Sequence, residues 1–240
     1  GGIQMKRIPY GISDFRALIE ENYYYIDKTK YIEILENLNE KYIIFLRPRR
    51  FGKSLFLSTL EYYYDKQYKD LTLFDNLYIG ENPTDLKNSY YVLKFAFSGI
   101  NTSSSESTEE DFNNNVLEGI NDFLIKNNIS NDVMEILKTR KAAASIMRSF
   151  LSEILKYIDG KIYILIDEYD HFANELLGFD EDLFKTSVSQ NGFVRKFYEV
   201  IKEGTQSGTV DRIFITGVTP ITLDSMTSGF NIGSDYSLEP

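Results

Sequence analysis

A lysine followed by a serine, Lys53 and Ser54, stands where an apolar run gives way to a helical pattern. Residues 42–46 read as a buried strand, and residues 53–64 have the apolar spacing of a helix that packs against a sheet. At such a junction the backbone N–H groups face an anion, a lysine reaches phosphate oxygens and a serine hydroxyl can ligate Mg²⁺. The pattern predicts a phosphate-binding loop. The three residues Gly52-Lys53-Ser54 alone would more often mark an ordinary helix start than a phosphate loop.

The loop departs from the usual phosphate-loop spacing at Arg47, where the general pattern has a glycine. Pro48 disfavours helical geometry at the residue before it, so we expect Arg47 to stay extended and the turn to begin later. Arg47, Arg49 and Arg50 form a basic patch, and we expect at least one of them to contact phosphate; the alternative is packing or contact with acidic groups. The predicted nucleotide-binding residues are Arg47, Arg49, Arg50, Phe51, Gly52, Lys53, Ser54 and Leu55. We expect Lys53 to lie in an exposed loop, so that its replacement weakens ATP binding and leaves the fold intact.

A second chemical pattern lies far downstream, where the apolar residues 161–166 end in Asp167 and Glu168. An aspartate at the end of such a strand can hold Mg²⁺, and a glutamate after it can orient and polarise the water that attacks a nucleoside triphosphate. A solvated turn or a helix cap is the structural alternative. Because strand ends and phosphate loops meet at one crevice of an open α/β sheet, the two patterns together favour the catalytic interpretation.

Two further strands bear on this site. Residues 212–215 form a short strand that ends at Thr216, which we expect beside the terminal phosphate as a sensor of hydrolysis; alternatively it starts the turn before Gly217. Residues 90–97 form another strand. This strand and Glu168 suggest the division of phosphate-loop proteins that has an extra strand between the loop strand and the acidic strand.

Helical and strand patterns alternate along the chain. Residues 28–38 carry a helical stripe with Asp27 or Thr29 as its cap, although residues 27–29 could also approach an adenine. The spacing from Ser107 to Glu110 predicts a capping box that opens a helix. Other helices are predicted over residues 14–20, 146–158 and 193–201. This alternation predicts an α/β fold with a mostly parallel sheet flanked by helices and an N-terminal helical segment.

Composition limits the function classes. The 240 residues contain 42% hydrophobic residues, which is enough for one domain, and we expect it to span residues 5–240. A net charge of −10 argues against a general nucleic-acid surface, and the lack of cysteine excludes disulfides. No apolar stretch reaches the ~20 residues that span a bilayer, and no secretory pattern is seen, so we expect a cytoplasmic protein without a membrane partner.

Four ordered blocks resemble the AAA-ATPase-like family: residues 26–29, 47–54, 166–170 and 215–220. In that family an arginine replaces the first loop glycine as a rule, so Arg47 fits. The resemblance implies a P-loop NTPase that binds ATP and Mg²⁺, with Lys53 on phosphate, Ser54 and Asp167 on the metal and Glu168 as the catalytic carboxylate. Family members often carry a C-terminal nuclease-like domain, which residues up to 240 do not include, so we expect this chain to lack the C-terminal part of a longer protein.

Two functions therefore remain open. The first is an ATPase whose hydrolysis drives a conformational change, with Glu168, Lys53 and Thr216 as catalytic residues. The second is a nucleotide-dependent switch with negligible turnover that controls an attached or partner effector, such as the nuclease-like domain. An oligomer is compatible with both. His171 is expected to be packed or hydrogen-bonded rather than a zinc ligand, and Arg195 and Lys196 are expected to be solvated rather than to act as an arginine finger.

Overall fold

Parallel strands form the sheet of this chain in the computed structural model, which describes residues 5–47, 52–172, 181–182, 185 and 192–218. Its strands are β1 (Tyr42–Leu46), β2 (Tyr91–Ala96), β3 (Ile162–Asp167) and β4 (Val210–Gly217). Its helices are α1 (Phe15–Glu20), α2 (Lys30–Asn37), α3 (Lys53–Tyr64), α4 (Tyr78–Glu81), α5 (Ser105–Lys126), α6 (Asp132–Leu137), α7 (Ala143–Ile154) and α8 (Phe193–Ser207). The predicted α/β class with an N-terminal helical segment is confirmed.

The order of the strands in the sheet is β1-β4-β3-β2, and every pair is parallel. The predicted strand at residues 90–97 exists as β2, but it pairs with β3 on the side away from β1. The strand that separates β1 from β3 is β4, so the expectation that residues 90–97 are this extra strand is wrong. Long crossovers allow parallel strands to take an order different from that of the chain, which local patterns do not reveal.

Helices cover both faces of the sheet, and each face has its own hydrophobic core. The strand residues alternate between the two faces, because successive side chains of a strand point in opposite directions. Ile164, Ile166 and Ile215 join the core under α5, α7 and α8, whereas Leu165 and Phe214 join the core under α1 and α3. Every residue of β3 is buried. A strand covered on both faces must read as a continuous apolar run, which is why β3 was recognisable.

The helix caps differ in detail from the sequence predictions. Helix α5 starts at Ser105 after an N-cap at Ser104, whose hydroxyl accepts the Ser107 N–H, so the predicted cap at Ser107 is wrong by three residues. Ser107 is instead the third residue of the helix, where its hydroxyl accepts the backbone N–H of Ser104. Helix α7 ends at Ile154, short of the predicted residue 158.

Thr29, one of the two predicted caps, is the N-cap residue of α2, but the side chains of Asp27 and Thr29 bond to a different helix. Thr29 precedes α2 without bonding to it through its side chain. Instead the Thr29 hydroxyl accepts the N–H of Ile79, and the Asp27 carboxylate accepts the N–H of Tyr78, both in α4. These bonds tie the segment before α2 to α4. No helix within the described ranges is both long and apolar enough to cross a membrane.

Candidate active site

The predicted phosphate loop meets its helix at Gly52, which has a left-handed backbone with φ of 73°. A Cβ added at this position would meet no atom within 4 Å, so space does not require the glycine. The left-handed backbone conformation is what requires glycine here, because residues with a Cβ rarely adopt it. Helix α3 then begins at Lys53 as predicted. Its first N–H groups lie at the C-terminal edge of the sheet, where β1 ends.

Lys53 is buried, with 6% of its surface exposed. Its ammonium group donates to the carbonyl of Arg47 at 2.7 Å and to the carbonyl of Gly217 at 3.0 Å. The expectation that this lysine lies in an exposed loop is therefore wrong. The burial comes from β4, which places the end of a strand 164 residues away beside the loop. Lys53 thus joins the end of β1 to the end of β4.

Ser54, Asp167 and Thr216 form a continuous hydrogen-bonded group beside this lysine. The Ser54 hydroxyl donates to one carboxylate oxygen of Asp167 at 2.7 Å, and the Thr216 hydroxyl donates to the other at 2.6 Å. Thr216 also accepts the backbone N–H of Glu168 at 3.1 Å. Thr216 is fully buried and Asp167 is 9% exposed. The structure therefore brings together the serine, the aspartate and the threonine that the sequence placed in three separate segments.

Glu168 follows Asp167 with an unusual backbone, because its φ is 51°. A left-handed conformation is uncommon for a residue with a side chain and costs of order 1 kcal/mol, so surrounding bonds must hold it. Thr216 supplies two of them: its hydroxyl accepts the Glu168 N–H, and its carbonyl accepts the Tyr169 N–H at 3.0 Å. The half-buried Glu168 side chain forms no hydrogen bond or ion pair with any other described residue. Its carboxylate is available to a ligand or water.

Gly217 and Asp170 take part in this site, and sequence reasoning gave neither of them a role. The Gly217 carbonyl accepts hydrogen bonds from the Lys53 ammonium and from the Arg47 N–H. It must be a glycine, because an added Cβ would lie 2.2 Å from a ring carbon of Tyr169. The Asp170 carboxylate, 1% exposed, accepts the N–H of Val218 at 2.9 Å. Together they fix the ends of β3 and β4 against each other; the only signal in the sequence was their position after the two strands.

Comparison with known proteins agrees with this geometry. The family described as "Predicted AAA-ATPase" matches residues 9–227, a stretch that includes the loop, the acidic strand end and Thr216. The chain belongs to this family. It is also 26% identical to a protein of Azotobacter chroococcum mcd 1 described as "Uncharacterized protein in vnfD 5'region"; the match covers 98% of this chain and 41% of that protein. No solved structure matches the chain significantly.

Membership in the AAA-ATPase family confirms the resemblance seen in the sequence and supports nucleotide binding, with ATP as the nucleotide. The parallel sheet with helices on both faces is consistent with a P-loop NTPase. The chain spans 41% of the length of the curated relative that it matches.

Of the three loop arginines, Arg47 lies within the described residues. Arg47 extends the β1 ladder by one bond, from its N–H to the Gly217 carbonyl at 3.1 Å, which agrees with the expected extended geometry. Its guanidinium lies 5.1 Å from the centre of the Phe45 ring. Arg49, Arg50 and Phe51 lie outside the described residues. Leu55 is half-buried in the first turn of α3.

The remaining candidate residues do not form a second site. The His171 N–H donates to the Glu168 carbonyl at 3.2 Å, within the turn after β3. Lys196 is exposed on α8, whereas Arg195 is half-buried, which differs from the expected solvated position. Among the described residues, no group of three or more histidines and carboxylates is arranged to hold a metal ion. A Mg²⁺ ion does not need such a group, because it commonly binds one or two carboxylates together with substrate phosphates and water.

Proposed function

We propose that this chain binds ATP with Mg²⁺ and hydrolyses it, and that hydrolysis drives a conformational change. The observation that carries this proposal is the contact of Ser54 with Asp167, at 2.7 Å, directly beside Lys53. These two oxygen-bearing side chains come from sequence segments 113 residues apart. Hydroxyl and carboxylate oxygens are the ligands that Mg²⁺ prefers, so Ser54 and Asp167 fit a Mg²⁺ ion that would neutralise phosphate charge.

Lys53 is proposed to bind the β- and γ-phosphates. Its ammonium now donates to two main-chain carbonyls, which are weaker partners than a charged phosphate. A triphosphate would therefore compete with these carbonyls for the lysine. At least one of Arg47, Arg49 and Arg50 is proposed to add a phosphate contact. The backbone N–H groups of Gly52 and Ser54 lie at the start of α3, and the N-terminus of a helix attracts anions. Phe51 and Leu55 flank these groups in sequence.

Glu168 is proposed as the residue that orients and activates the attacking water. Its carboxylate has no bond to other described side chains, and it adjoins Asp167. Thr216 is proposed to position this glutamate and to sense the terminal phosphate, because one hydroxyl bonds both the Asp167 carboxylate and the Glu168 backbone. A displacement of the terminal phosphate would therefore shift the ends of β3 and β4 together.

A switch with negligible turnover is the second candidate. It is favoured by the bonds of Lys53 to the Arg47 and Gly217 carbonyls and by the bond of Ser54 to Asp167, since ATP and Mg²⁺ would have to break bonds that the protein makes with itself. Such competition creates two arrangements of the strand ends that a nucleotide can select between. The controlled effector would be a nuclease-like domain in the same chain or a partner, which the greater length of the relative allows. Oligomerisation and a cytoplasmic location remain predictions.

Phosphate release measured with saturating ATP and Mg²⁺ tests the two candidates. For an ATPase, Glu168→Gln keeps ATP affinity and lowers kcat by about 100-fold or more, because the amide cannot act as a base. Glu118→Gln, on the exposed side of α5, is the matched control and keeps the wild-type rate. If the wild type binds ATP but releases no phosphate, alone or within a longer protein, the switch is the better description. If Glu168→Gln hydrolyses ATP at the wild-type rate, the role assigned to Glu168 is wrong.

A further inference from the structure

Strand β2 forms one edge of the described sheet, because β3 is the strand with which it pairs there. The N–H groups of Tyr91 and Phe97 donate to carbonyls on the β3 side, at 3.0 Å and 3.2 Å. Alternate residues of a strand direct their main-chain groups to opposite sides. Val92, Lys94 and Ala96 therefore direct theirs away from the sheet.

The chain itself occupies the start of this outer edge. Residues 64–66 exchange two main-chain bonds with Tyr90, at 3.0 Å and 2.9 Å, as a neighbouring parallel strand would. The Lys126 ammonium then donates to the Val92 carbonyl at 3.0 Å. This edge thus already accepts an extended segment at its first position, before the chain turns away.

The rest of the edge lies open in a groove. The N–H groups of Lys94 and Ala96 form no hydrogen bond with another described residue. Both residues line a cavity of about 600 Å³ that has Glu61 of α3 on one wall and Gly119 of α5 on the other. Helix α5 approaches the edge closely, since a Cβ added to Gly119 would lie 2.7 Å from the Lys94 carbonyl. From Val92 to Ala96 the edge is about 13 Å long, at ~3.3 Å per residue.

This groove suits one extended polypeptide. Its N–H and C=O groups recur at every second residue, and the main chain of an added strand bonds such a pattern whatever its side chains are. The helical walls leave room for a single strand, whereas a second sheet edge would bring its own covering helices against α3 and α5. A second copy of this chain, whose β2 carries the same two helices, therefore does not fit.

Helix α5 gives the groove an acidic wall. Glu118 and Asp122 line it, are exposed and lie one turn apart. Neither forms a hydrogen bond or ion pair with another described residue, and like charges at this spacing destabilise a helix. The two lysines of the groove, Lys94 and Lys126, already have carboxylate partners at 3.8 Å and 2.6 Å. Cations of a bound segment would therefore meet unpaired carboxylates on α5.

We propose that this groove binds an extended segment of a partner protein that has lysine or arginine at alternate positions. The segment lies beside β2 as an added strand and bonds the main chain of Lys94 and Ala96. Its cations lie beside Glu118 and Asp122. The groove ends next to the candidate active site, because Ala96 is the register partner of Asp167. This inference does not rest on nucleotide binding.

Amide hydrogen exchange, followed by NMR at single residues, tests the main-chain contact. In the free protein, the amides of Lys94 and Ala96 should exchange at least ~10-fold faster than those of Leu93 and Phe95, which face β3. The probe is an eight-residue peptide of alternating threonine and lysine with blocked ends. At about ten times its Kd it should slow exchange at Lys94 and Ala96 about 10-fold, because these amides then exchange from the free form. Spermine, a polycation without peptide groups, should give no such protection.

Charge reversal on α5 tests the acidic wall. Glu118→Lys/Asp122→Lys should raise the Kd of the lysine peptide ~10-fold or more, and should bind the corresponding threonine–glutamate peptide more tightly than the wild type does. Glu81→Lys/Asp85→Lys is the matched control, since it reverses one glutamate and one aspartate, four residues apart, exposed and outside the groove. It should leave both affinities within about twofold of the wild type. Thermal melts check that both variants are folded.

Three other results would overturn the inference. If the peptide slows exchange at neither Lys94 nor Ala96, the edge is closed by its own lysines and no strand adds there. If charge reversal on α5 leaves the Kd of the lysine peptide unchanged, or the control variant raises it equally, the acidic wall does not select the partner. If the two amides are protected in the free protein and become exposed on dilution, a second copy occupies the groove.

Discussion

Replacement of Gly217 by alanine tests whether the site depends on the close packing of β4 against the turn after β3. An alanine Cβ would lie 2.2 Å and 2.5 Å from two ring carbons of Tyr169 and 3.1 Å from a carboxylate oxygen of Asp170. Both of these residues are buried, so the ring cannot turn into solvent. Overpacking of this kind costs typically about 1–3 kcal/mol, and contacts this short place the variant near the upper value.

A loss of about 3 kcal/mol corresponds to a fall of about 6–12 °C in Tm for a domain of this size. ATP affinity should fall as well, because the Gly217 carbonyl accepts Lys53 and Arg47. Calorimetric melts and ATP titrations measure the two effects. Gly160→Ala is the matched control, since its nearest neighbour would be the end of the long Lys66 side chain at 2.8 Å, and the next, a Tyr91 ring carbon, would lie at 3.2 Å. We expect its stability to stay within about 0.5 kcal/mol of the wild type.

A double-mutant cycle with Tyr169→Leu identifies the cause of the loss. Leucine lacks the ring carbons that an alanine at position 217 would meet, so the two substitutions together should destabilise less than their sum, by at least about 1 kcal/mol. Additive effects, or a Gly217→Ala protein that melts with the wild type, would refute the packing argument.

Two other expectations concern stability. Lys53→Ala should lower the unfolding free energy by about 1–3 kcal/mol in melts without added nucleotide, because the Arg47 and Gly217 carbonyls lose their shared donor; an unchanged melt would contradict the bonds that we describe. At high pH the protein should lose stability, because burial raises the pKa of Tyr64 and Tyr163 above the 10.0 of an exposed tyrosine. Their stabilising contribution is complete below pH 10 and declines as the pH rises from 10 toward their folded pKa values, because the unfolded chain releases these protons first. Denaturant titrations between about pH 8 and pH 11 measure this loss, and equal stability across that range would contradict it.

The sequence was most informative where a local pattern carries the structure. The bounds of α3, Lys53–Tyr64, agree with the prediction because the glycine, the lysine and the apolar spacing all lie within one segment. The buried run of β3 was recognisable for the same reason. Among neighbouring serines, by contrast, Ser104 and Ser107 can each cap a helix, and the sequence pattern does not show that Ser104 is the N-cap of α5.

Other features depend on contacts between distant segments and were not predictable from one sequence. Lys53 is buried because β4 pairs with β1, and nothing near residue 53 indicates that neighbour. The requirement for glycine at position 217 comes from the ring of Tyr169 in another turn.

The order of the strands has a consequence for how this protein is made. Within the described sheet, β1 pairs with β4 alone, and the two meet only after the chain has been synthesised as far as residue 217. While a ribosome is still adding the residues before 210, β1 has no partner and Lys53 lacks one of its two carbonyls. Pairing between such distant segments is slow, because the chain loses the entropy of closing a long loop before any stabilising contact forms. A nascent chain should therefore gain its nucleotide site late and in one step, when the last described strand inserts between two that are already present.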